Sequence, residues 1–522
     1  MVDSDVKAQR ASIGTQLFYG FGSISVGIKN NLLGTFLLIY YNVALGLDAI
    51  LAATALSIAL VFDAVSDPLI GVWSDRTKTK WGRRHPFMYF SIIPFSLSYY
   101  FILSDPGDIS QDNLFWRLVF WLIVLRMCMT LFEVPRGALA PELSKDYDQR
   151  NNLAALSMIF GWAGGAGIDS IARAFWLESF VDINGYQSLA FWGGIGIFIG
   201  AAVSCIGTHR NIPDLYQPES RSLGLEPFLI ETKKEPNLIL QFIKKLSSSL
   251  FSILASIIGF VSWLKANLSL FIKELKQTLS NRAWLVLFLS GCFYALLVGL
   301  ESGVGTYYNE FFWQWKPGEI ALYPLLAIVG VGTLVICAPF IAKGRSKKKI
   351  AVGVFIFTII VGPLPVALRL VDLYYGTNII PQNGSNSLWY ILAIHQAAMA
   401  ALGALGFVFI GSMSMDIVEQ VEKSTDRREE GLLGTINAFV HKLVGAGGVL
   451  ISGLIISFAG FDNPNATQAE LYGGDIINNF AVIHLVIGIT LPFISTLLVL
   501  FYDIDRYKHN THVSDLGYIE ED

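Results

Sequence analysis

Asp63 and Asp67 stand four residues apart in the run "VFDAVSDPLIGVWSDRTKTKWGRRHPF", residues 61–87, which begins oily and ends in a cluster of arginines and lysines. A helix carries positions i and i+4 on one face, so both carboxylates project to the same side. In hydrocarbon an Asp costs roughly 2.5–3.5 kcal/mol on insertion scales, and two neighbouring carboxylates do not both stay ionised without a counterion. Two chemistries resolve the conflict. One is a small cation, or a shared proton, held between the acids, which would supply a coupling ion, Na+ or H+. The other is a structural ion pair with an arginine of another apolar run, Arg126 being the candidate. Two acids exceed what one arginine neutralises, which favours the mobile cation.

The residues that follow invite different work. Pro68 and Gly71 permit bending and close approach at a helix end. Asp75, Arg76, Arg83 and Arg84 gather where the run leaves the membrane. They read either as a solvated basic loop or as an ion-pair latch that breaks when two halves of a protein rock apart.

These residues need a membrane to position them. Of 522 residues, 53% are hydrophobic and 15% charged, against about 25% charged in ordinary soluble domains. The mean hydropathy is +0.53. A net charge of −4 creates no field that would draw nucleic acid. Cys128, Cys205, Cys292 and Cys337 are scattered singly in apolar runs, with neither metal-ligand spacing nor a disulfide framework.

Runs of about 20 apolar residues, the length that crosses hydrocarbon, occur roughly at 15–42, 49–73, 87–104, 114–135, 152–174, 188–208, 283–306, 320–342, 350–371, 387–412, 433–459 and 478–502. The expected fold is therefore an all-α membrane protein of twelve transmembrane helices. The polar start "MVDSDVKAQRASIG" has no short apolar segment with a cleavage site behind it, so the first span is expected to act as the anchor.

Lys and Arg collect after even-numbered spans, at Arg76, Lys78, Lys80, Arg83 and Arg84, at Lys145 and Arg150, and from Lys343 to Lys349. The opposite connections "LSDPGDISQDN", "ESFVDINGYQ", "YYGTNIIPQNGSNS" and "AGFDNPNATQAELYGGD" contain neither. Both termini are thus expected in the cytoplasm, with the plasma membrane as the location.

Six spans, a polar connection and six more spans suit a carrier of two parallel halves with its site near the midplane. The boundaries read as 1–208 for the first half, 209–282 for a linker, 283–505 for the second half and 506–522 for a cytoplasmic tail. Within the linker, Leu250 to Leu264 is apolar but short and flanked by Lys244, Lys245 and Lys265. Were it to cross, "KGRSKKK" would face outward, so surface helices are expected instead. The sequence shows no residue-level repeat between the halves.

The second-span run resembles the signature of the glycoside-pentoside-hexuronide:cation symporters, the melibiose-carrier branch of the major facilitator superfamily. So do "YGFGSISVGIKNNLLGTFLLIYYNVALGL" in the first span, "LFEVPRGALAPEL" closing the fourth and "DRREEGLLGTINAFVHKLVGAGGVLISG" entering the eleventh. The resemblance covers most of the chain outside the linker. It implies the major facilitator fold, and a cation site formed by Asp63 and Asp67 with Thr130 and Glu133, where melibiose-type carriers have Asp in place of Glu133. It also matches the family's eleventh-span lysine to Lys442, which either pairs with the acids and keeps the empty site neutral or snorkels to the cytoplasmic surface.

Departures are confined to solute recognition. The family's first-span aspartate falls at Gly27, its fifth-span arginine at Met158 and its stacking aromatic at Gly137. Lys29, Asn30 and Asn31 offer replacement polarity, Asn30 and Asn31 on the face of Gly27. An unpaired lysine at that depth is costly, so Lys29 neutralises an acid such as Glu133 or binds an anionic group of the solute. Lys29, Asn30, Asn31, Arg126, Glu133 and Lys442 are therefore the candidate solute contacts, for a sugar, a sugar acid or another organic anion.

Other intramembrane groups have plainer readings. Arg126 and Glu133 share a helical face and suggest a structural pair, as do Asp169 and Arg173 near the outer end of the fifth span. His441 reads as polar lining. Glu301 and His395 have no partner legible in the sequence, and Tyr307 and Tyr308 suit an outer mouth. No nucleophile–base arrangement, metal motif or phosphate-cradling loop points to an enzyme. The expected activity is cation-coupled symport by a monomer without cofactor, with a lipid or lysolipid carrier of the same superfamily as the alternative.

Overall fold

The computed structural model describes residues 10–502 apart from Lys78, Lys145, residues 216–281, Gly344, residues 426–429 and Pro464. The expected surface helices of the linker and the tail at 506–522 lie outside the described residues. Among those described, every regular element is helical, as a chain in hydrocarbon requires when each backbone N–H must find its acceptor within its own segment.

Twelve rods follow in order. α1 covers residues 13–44, α2 Ala49–Arg76, α3 His85–Leu103, α4 Gln111–Leu143, α5 Tyr147–Ile171 with a π turn at Ala172–Trp176, and α6 Ile183–His209. α7 joins Arg282–Leu300 to Val304–Tyr307 and a π turn at Tyr308–Phe312. α8 is Tyr323–Ala342, α9 joins Lys347–Val361 to Leu364–Tyr375, α10 is Asn386–Thr425, α11 Glu430–Ala459 and α12 Asp475–Leu500. Among the described residues ten helices are long and apolar enough to cross a bilayer, and α7, bent by 40° at its break, makes eleven. α1 is the twelfth, interrupted at Gly22 and by π turns at Leu32–Phe36 and Tyr40–Ala44.

α2 packs on α4, α3 on α4 and α6, and α1 on α5 and α6. In the second half α7 packs on α11 and α12, α8 on α10, and α9 on α10 and α12. The halves meet along α2–α11 and α5–α8. Where α1 crosses α5 no side chain intervenes: a Cβ on Gly27 would sit 2.0 Å from the Gly161 carbonyl oxygen and 2.7 Å from the Gly165 nitrogen. Small residues at such crossings let backbones touch, which in lipid substitutes van der Waals contact for the missing hydrophobic drive.

The connections divide the ends of the bundle by charge. One, here the basic end, carries Arg83, Arg84 and Lys347 to Lys349; the other, the acidic end, carries the loops at 104–110, 177–182 and 460–474. Among the described residues, the hydrogen bonds that join the halves lie at the acidic end and at mid-depth. Asp462 Oδ1 accepts from Asn42 Nδ2 at 2.8 Å and from the Ala49 backbone N–H at 2.9 Å. That second bond caps the first turn of α2 from the other half, a helix start with orphan donors. The Tyr307 hydroxyl donates to Asn42 Oδ1 at 2.9 Å, so Tyr307 is buried in the closure rather than lining a mouth. Glu310 accepts from the Ser179 hydroxyl at 2.9 Å and the Phe180 N–H at 3.0 Å. Lower down, the Gly303 N–H donates to the Gly34 carbonyl at 2.7 Å, and the Ser57 hydroxyl to the Ala446 carbonyl at 2.8 Å.

A repeat absent from the residue pattern appears in the backbone. The π turn of α1 closes with Leu45 N–H on the Tyr40 carbonyl, then Leu47 N–H on Tyr41; α7 does the same with Trp313 on Tyr308 and Trp315 on Asn309. Gly46, with φ +73°, occupies the position that Gln314 holds in α7 with φ +55°, the one positive φ outside glycine among the described residues.

Candidate functional site

Asp63 and Asp67 point from α2 toward α4, where one hydroxyl serves both. Thr130 Oγ1 lies 3.2 Å from Asp63 Oδ1 and 2.8 Å from Asp67 Oδ1. A single hydroxyl proton satisfies one of those contacts at a time, leaving the other as oxygen facing oxygen, which only an extra proton or cation relieves. Ser66 adds a fourth oxygen, its hydroxyl 3.4 Å from that of Thr130.

The opposite edges of the two carboxylates are held by cations. Lys442 reaches across from α11 and donates to Asp63 Oδ2 at 2.9 Å and to Asp67 Oδ2. Arg126 NH1 donates to Asp63 Oδ2 at 3.2 Å. Asp63 is 1% exposed, whereas Asp67 at 28% and Lys442 at 31% border open space. Lys442 therefore turns to the acids rather than snorkelling. Asp63 is shared by an arginine and a lysine; Asp67 has Lys442 as its one ion-pair partner among the described residues.

Arg126 pairs with Asp63 across helices, not with Glu133 on its own helix, which corrects the expectation from spacing. Glu133 lies half-buried within electrostatic range of Lys29 and Arg126, with no contact partner among the described residues. Lys29 is 2% exposed, and its ammonium group donates to the thioether of Met129. A thioether is a weak acceptor, so Lys29 is a buried cation with no carboxylate in contact among the described residues. Three cations, Lys29, Arg126 and Lys442, thus face three carboxylates, Asp63, Asp67 and Glu133. The cluster is formally neutral.

Asn30 is exposed, and Asn31 is half-buried with its amide 3.3 Å from the Thr35 hydroxyl and its carbonyl oxygen unpartnered. Gly27 does not open toward them; it is pressed against α5. By contrast nothing lies within 4 Å of a Cβ built on Gly137, and Met158 is exposed.

At the basic end Asp75, Arg83 and Arg84 come together, and Glu142 of α4, which sequence reasoning missed, completes the cluster. Arg83 NH2 is 2.6 Å and Arg84 Nε 3.1 Å from Glu142 Oε1; Arg84 also pairs with Asp75, and Arg83 lies 3.8 Å from it. These pairs tie α2 to α4 within one half. The side chain of Arg76 lies outside the described residues.

The remaining intramembrane groups find partners, for Asp169 and Arg173 the one that their spacing suggested and for the others ones that spacing did not reveal. Asp169 and Arg173 form a bidentate pair at 2.6 and 3.1 Å. Glu301 meets His484 of α12 at 3.2 Å, His395 meets the Val361 carbonyl at 3.0 Å, and His441 packs against Gly291.

A family model described as MFS/sugar transport protein matches residues 18–226 and 264–506. The uncharacterized symporter sll1374 of Synechocystis is 27% identical over 88% of this chain and 88% of its own. The zebrafish sodium-dependent lysophosphatidylcholine symporter 1-B is 24% identical over 96% of this chain and 88% of its own. Among solved structures, the xylose transporter XylE from E. coli superposes with a TM-score of 0.51 at 11% identity, over 96% of this chain and 97% of that one.

Proposed function

Since the chain belongs to the MFS/sugar transport protein family, and is a multi-pass membrane transporter of cation-coupled type, we propose that it carries a sugar or sugar-acid-like solute by symport with Na+ or H+ at Asp63 and Asp67. The single observation behind this reading is the shared hydroxyl of Thr130, which leaves one carboxylate oxygen facing oxygen until a proton or cation enters.

Lys442 acts in this reading as the internal counterion of the empty state. An entering cation takes its place between the acids, and the released ammonium group turns to the solute. With Lys29 already unpaired, an anionic group on the solute then meets two cations, which raises affinity for the solute only when the coupling ion is present. By linkage the solute raises affinity for the ion to the same degree. Glu133 and Arg126 position Lys29 and Asp63, and Asn30 and Asn31 supply hydrogen bonds. The acidic end faces outward, since basic connections stay in the cytoplasm; both termini are then cytoplasmic, in the plasma membrane. With the acidic end closed, the carrier is in its inward-facing state. The cluster of Asp75, Arg83, Arg84 and Glu142 braces the first half during rocking.

The zebrafish relative's lysophosphatidylcholine supports a second reading, a lysolipid carrier with the same ion site. Uptake into liposomes reconstituted with the full chain, under an imposed Na+ or H+ gradient, separates the two when neutral glycosides, uronates and lysophospholipids are compared. Gradient-driven accumulation is expected to vanish in Asp63→Asn plus Asp67→Asn. Undiminished accumulation in that double variant removes the ion site from the mechanism.

A further inference from the structure

The ion site at Asp63 and Asp67 leaves a second titratable cluster unused. Glu301 follows the long segment of α7, at the break where the helix bends by 40°. Its Oε1 lies 3.2 Å from His484 Nε2 on α12, and His484 Nδ1 lies 3.0 Å from the Tyr308 hydroxyl. The imidazole is buried and stacks on Phe480 with centroids 5.8 Å apart. Nδ1 is thus hydrogen-bonded to a phenol, whereas Nε2 is buried within ion-pair distance of a carboxylate but has no hydrogen-bond partner among the described residues.

Glu301 keeps 50% of its side-chain surface open. A carboxylate at that depth cannot rest against lipid tails, so it borders water-filled space. A buried imidazole joined to water through a carboxylate has a route for a proton. The residues just beyond Glu301 dock α7 on α1: Ser302 hydroxyl on the Leu33 carbonyl at 3.3 Å, Gly303 N–H on Gly34 at 2.7 Å, and Thr306 hydroxyl on Thr35 at 3.1 Å.

We propose that Glu301, His484 and Tyr308 form a second ion site, for a proton, in the C-terminal half, whose occupancy pins the break of α7 and with it the closure against α1. With the proton bound, imidazolium forms an ion pair with Glu301 and donates from Nδ1 to the Tyr308 oxygen, and charge-assisted bonds are roughly twice as strong as neutral ones. When the proton leaves to the water at Glu301, one ring nitrogen becomes an acceptor, Tyr308 donates to it, and the ion pair is gone. No bond other than that N–H forms or breaks.

Charged and titratable groups on the neighbouring elements are engaged elsewhere. On α11, Lys442 is turned to Asp63 and Asp67, and His441 packs on Gly291. On α9, Arg369 is held by residues 381–383 and Asp372 by residues 377–380. Glu310 accepts from Ser179 and Tyr472, Glu470 caps Thr467, and Tyr294 shares the face of α7 two turns below Glu301.

The test is hydrogen exchange of the 302–312 segment in the full-length protein in lipid nanodiscs, at about pH 5.5 and about pH 8, bracketing the range in which imidazole changes charge. After correction for chemical exchange, protection is expected to be about 5-fold or more greater on the acid side, the low end of ordinary coupling between sites. His484→Gln and Glu301→Gln should abolish the difference, and Asp63→Asn should keep it. Should those two variants fail to fold, Tyr308→Phe, which spares ring and carboxylate, is expected to shrink it. Equal protection at both pH values in the parent protein overturns the proposal, as does a difference that survives intact in His484→Gln or in Tyr308→Phe.

Discussion

Replacing Lys442 by Met asks whether that lysine competes with the coupling ion or helps to hold it. In the structure its ammonium group donates to Asp63 Oδ2 at 2.9 Å and to Asp67 Oδ2. A hydrogen bond to a charged group contributes a net ~1.5–3 kcal/mol, and each 1.4 kcal/mol is tenfold in affinity. If an entering cation must displace even one such bond, removing the lysine tightens cation binding about 10- to 100-fold. The same change leaves Asp63, 1% exposed, with Arg126 as its one ion-pair partner among the described residues and Asp67 with none. Breaking a buried pair by deleting one partner typically costs about 3–5 kcal/mol, so the ion-free variant is expected to melt early. Added Na+ should then rescue it, by about 2.7 kcal/mol at a hundred times the dissociation constant. The assay is isothermal titration with Na+ above the carboxylate pH range, alongside thermal midpoints with and without the ion. Solute affinity in Lys442→Met is expected to lose its dependence on the cation. Weaker cation binding in Lys442→Met, or a midpoint indifferent to Na+ in both proteins, refutes the competition.

Two further perturbations probe the frame around the site. Gly27→Ala places a methyl 2.0 Å from the Gly161 carbonyl oxygen, with backbone on the far side that cannot turn away; a loss of ~3 kcal/mol or more is expected, at the upper end of overpacking costs, read as a lower thermal midpoint. Gly137→Ala, with nothing within 4 Å, should leave the midpoint unchanged, and equal effects of the two would contradict the close crossing of α1 and α5. At the acidic end, partial burial and then the neighbouring Asp462 hold the Asp48 carboxyl above its ordinary range. A raised carboxyl favours the folded, closed form while protonated and weakens it as pH climbs through that range. Asp48→Asn should therefore raise the midpoint at neutral pH and leave it unchanged in acid; a lower midpoint at neutral pH reverses the sign and rejects the reading.

Much of the architecture was legible because a membrane imposes length: twelve apolar runs of about 20 residues correspond to twelve rods. Asp63 and Asp67 were legible because a helical period of four fixes their common face. Thr130 and Lys442 emerged from the resemblance, since nothing in one helix predicts which side chain of another will reach it. Rotation about each helix axis was the hidden quantity. In soluble proteins the apolar stripe reveals it, but here lipid and protein interior are equally apolar, so the faces carry no contrast. That is why Arg126 could be assigned to Asp63 or to Glu133 without a choice between them, and why Glu142, Met129 and His484 went unseen.

The π turns of α1 carry a consequence for how the protein tolerates change. Each such turn holds one residue more than a regular helix would use for the same rise, and Leu32–Phe36, which itself carries the acceptors for α7 at Leu33, Gly34 and Thr35, directly follows the glycine seam with α5. The surplus residue is taken up within the turn rather than as a change of phase, so that both interfaces are met by one continuous rod. Deleting a single residue within the turn would therefore regularise the helix with the two surfaces still in step, whereas a deletion in a regular turn of α1 would swing everything above it by roughly a hundred degrees and uncouple them.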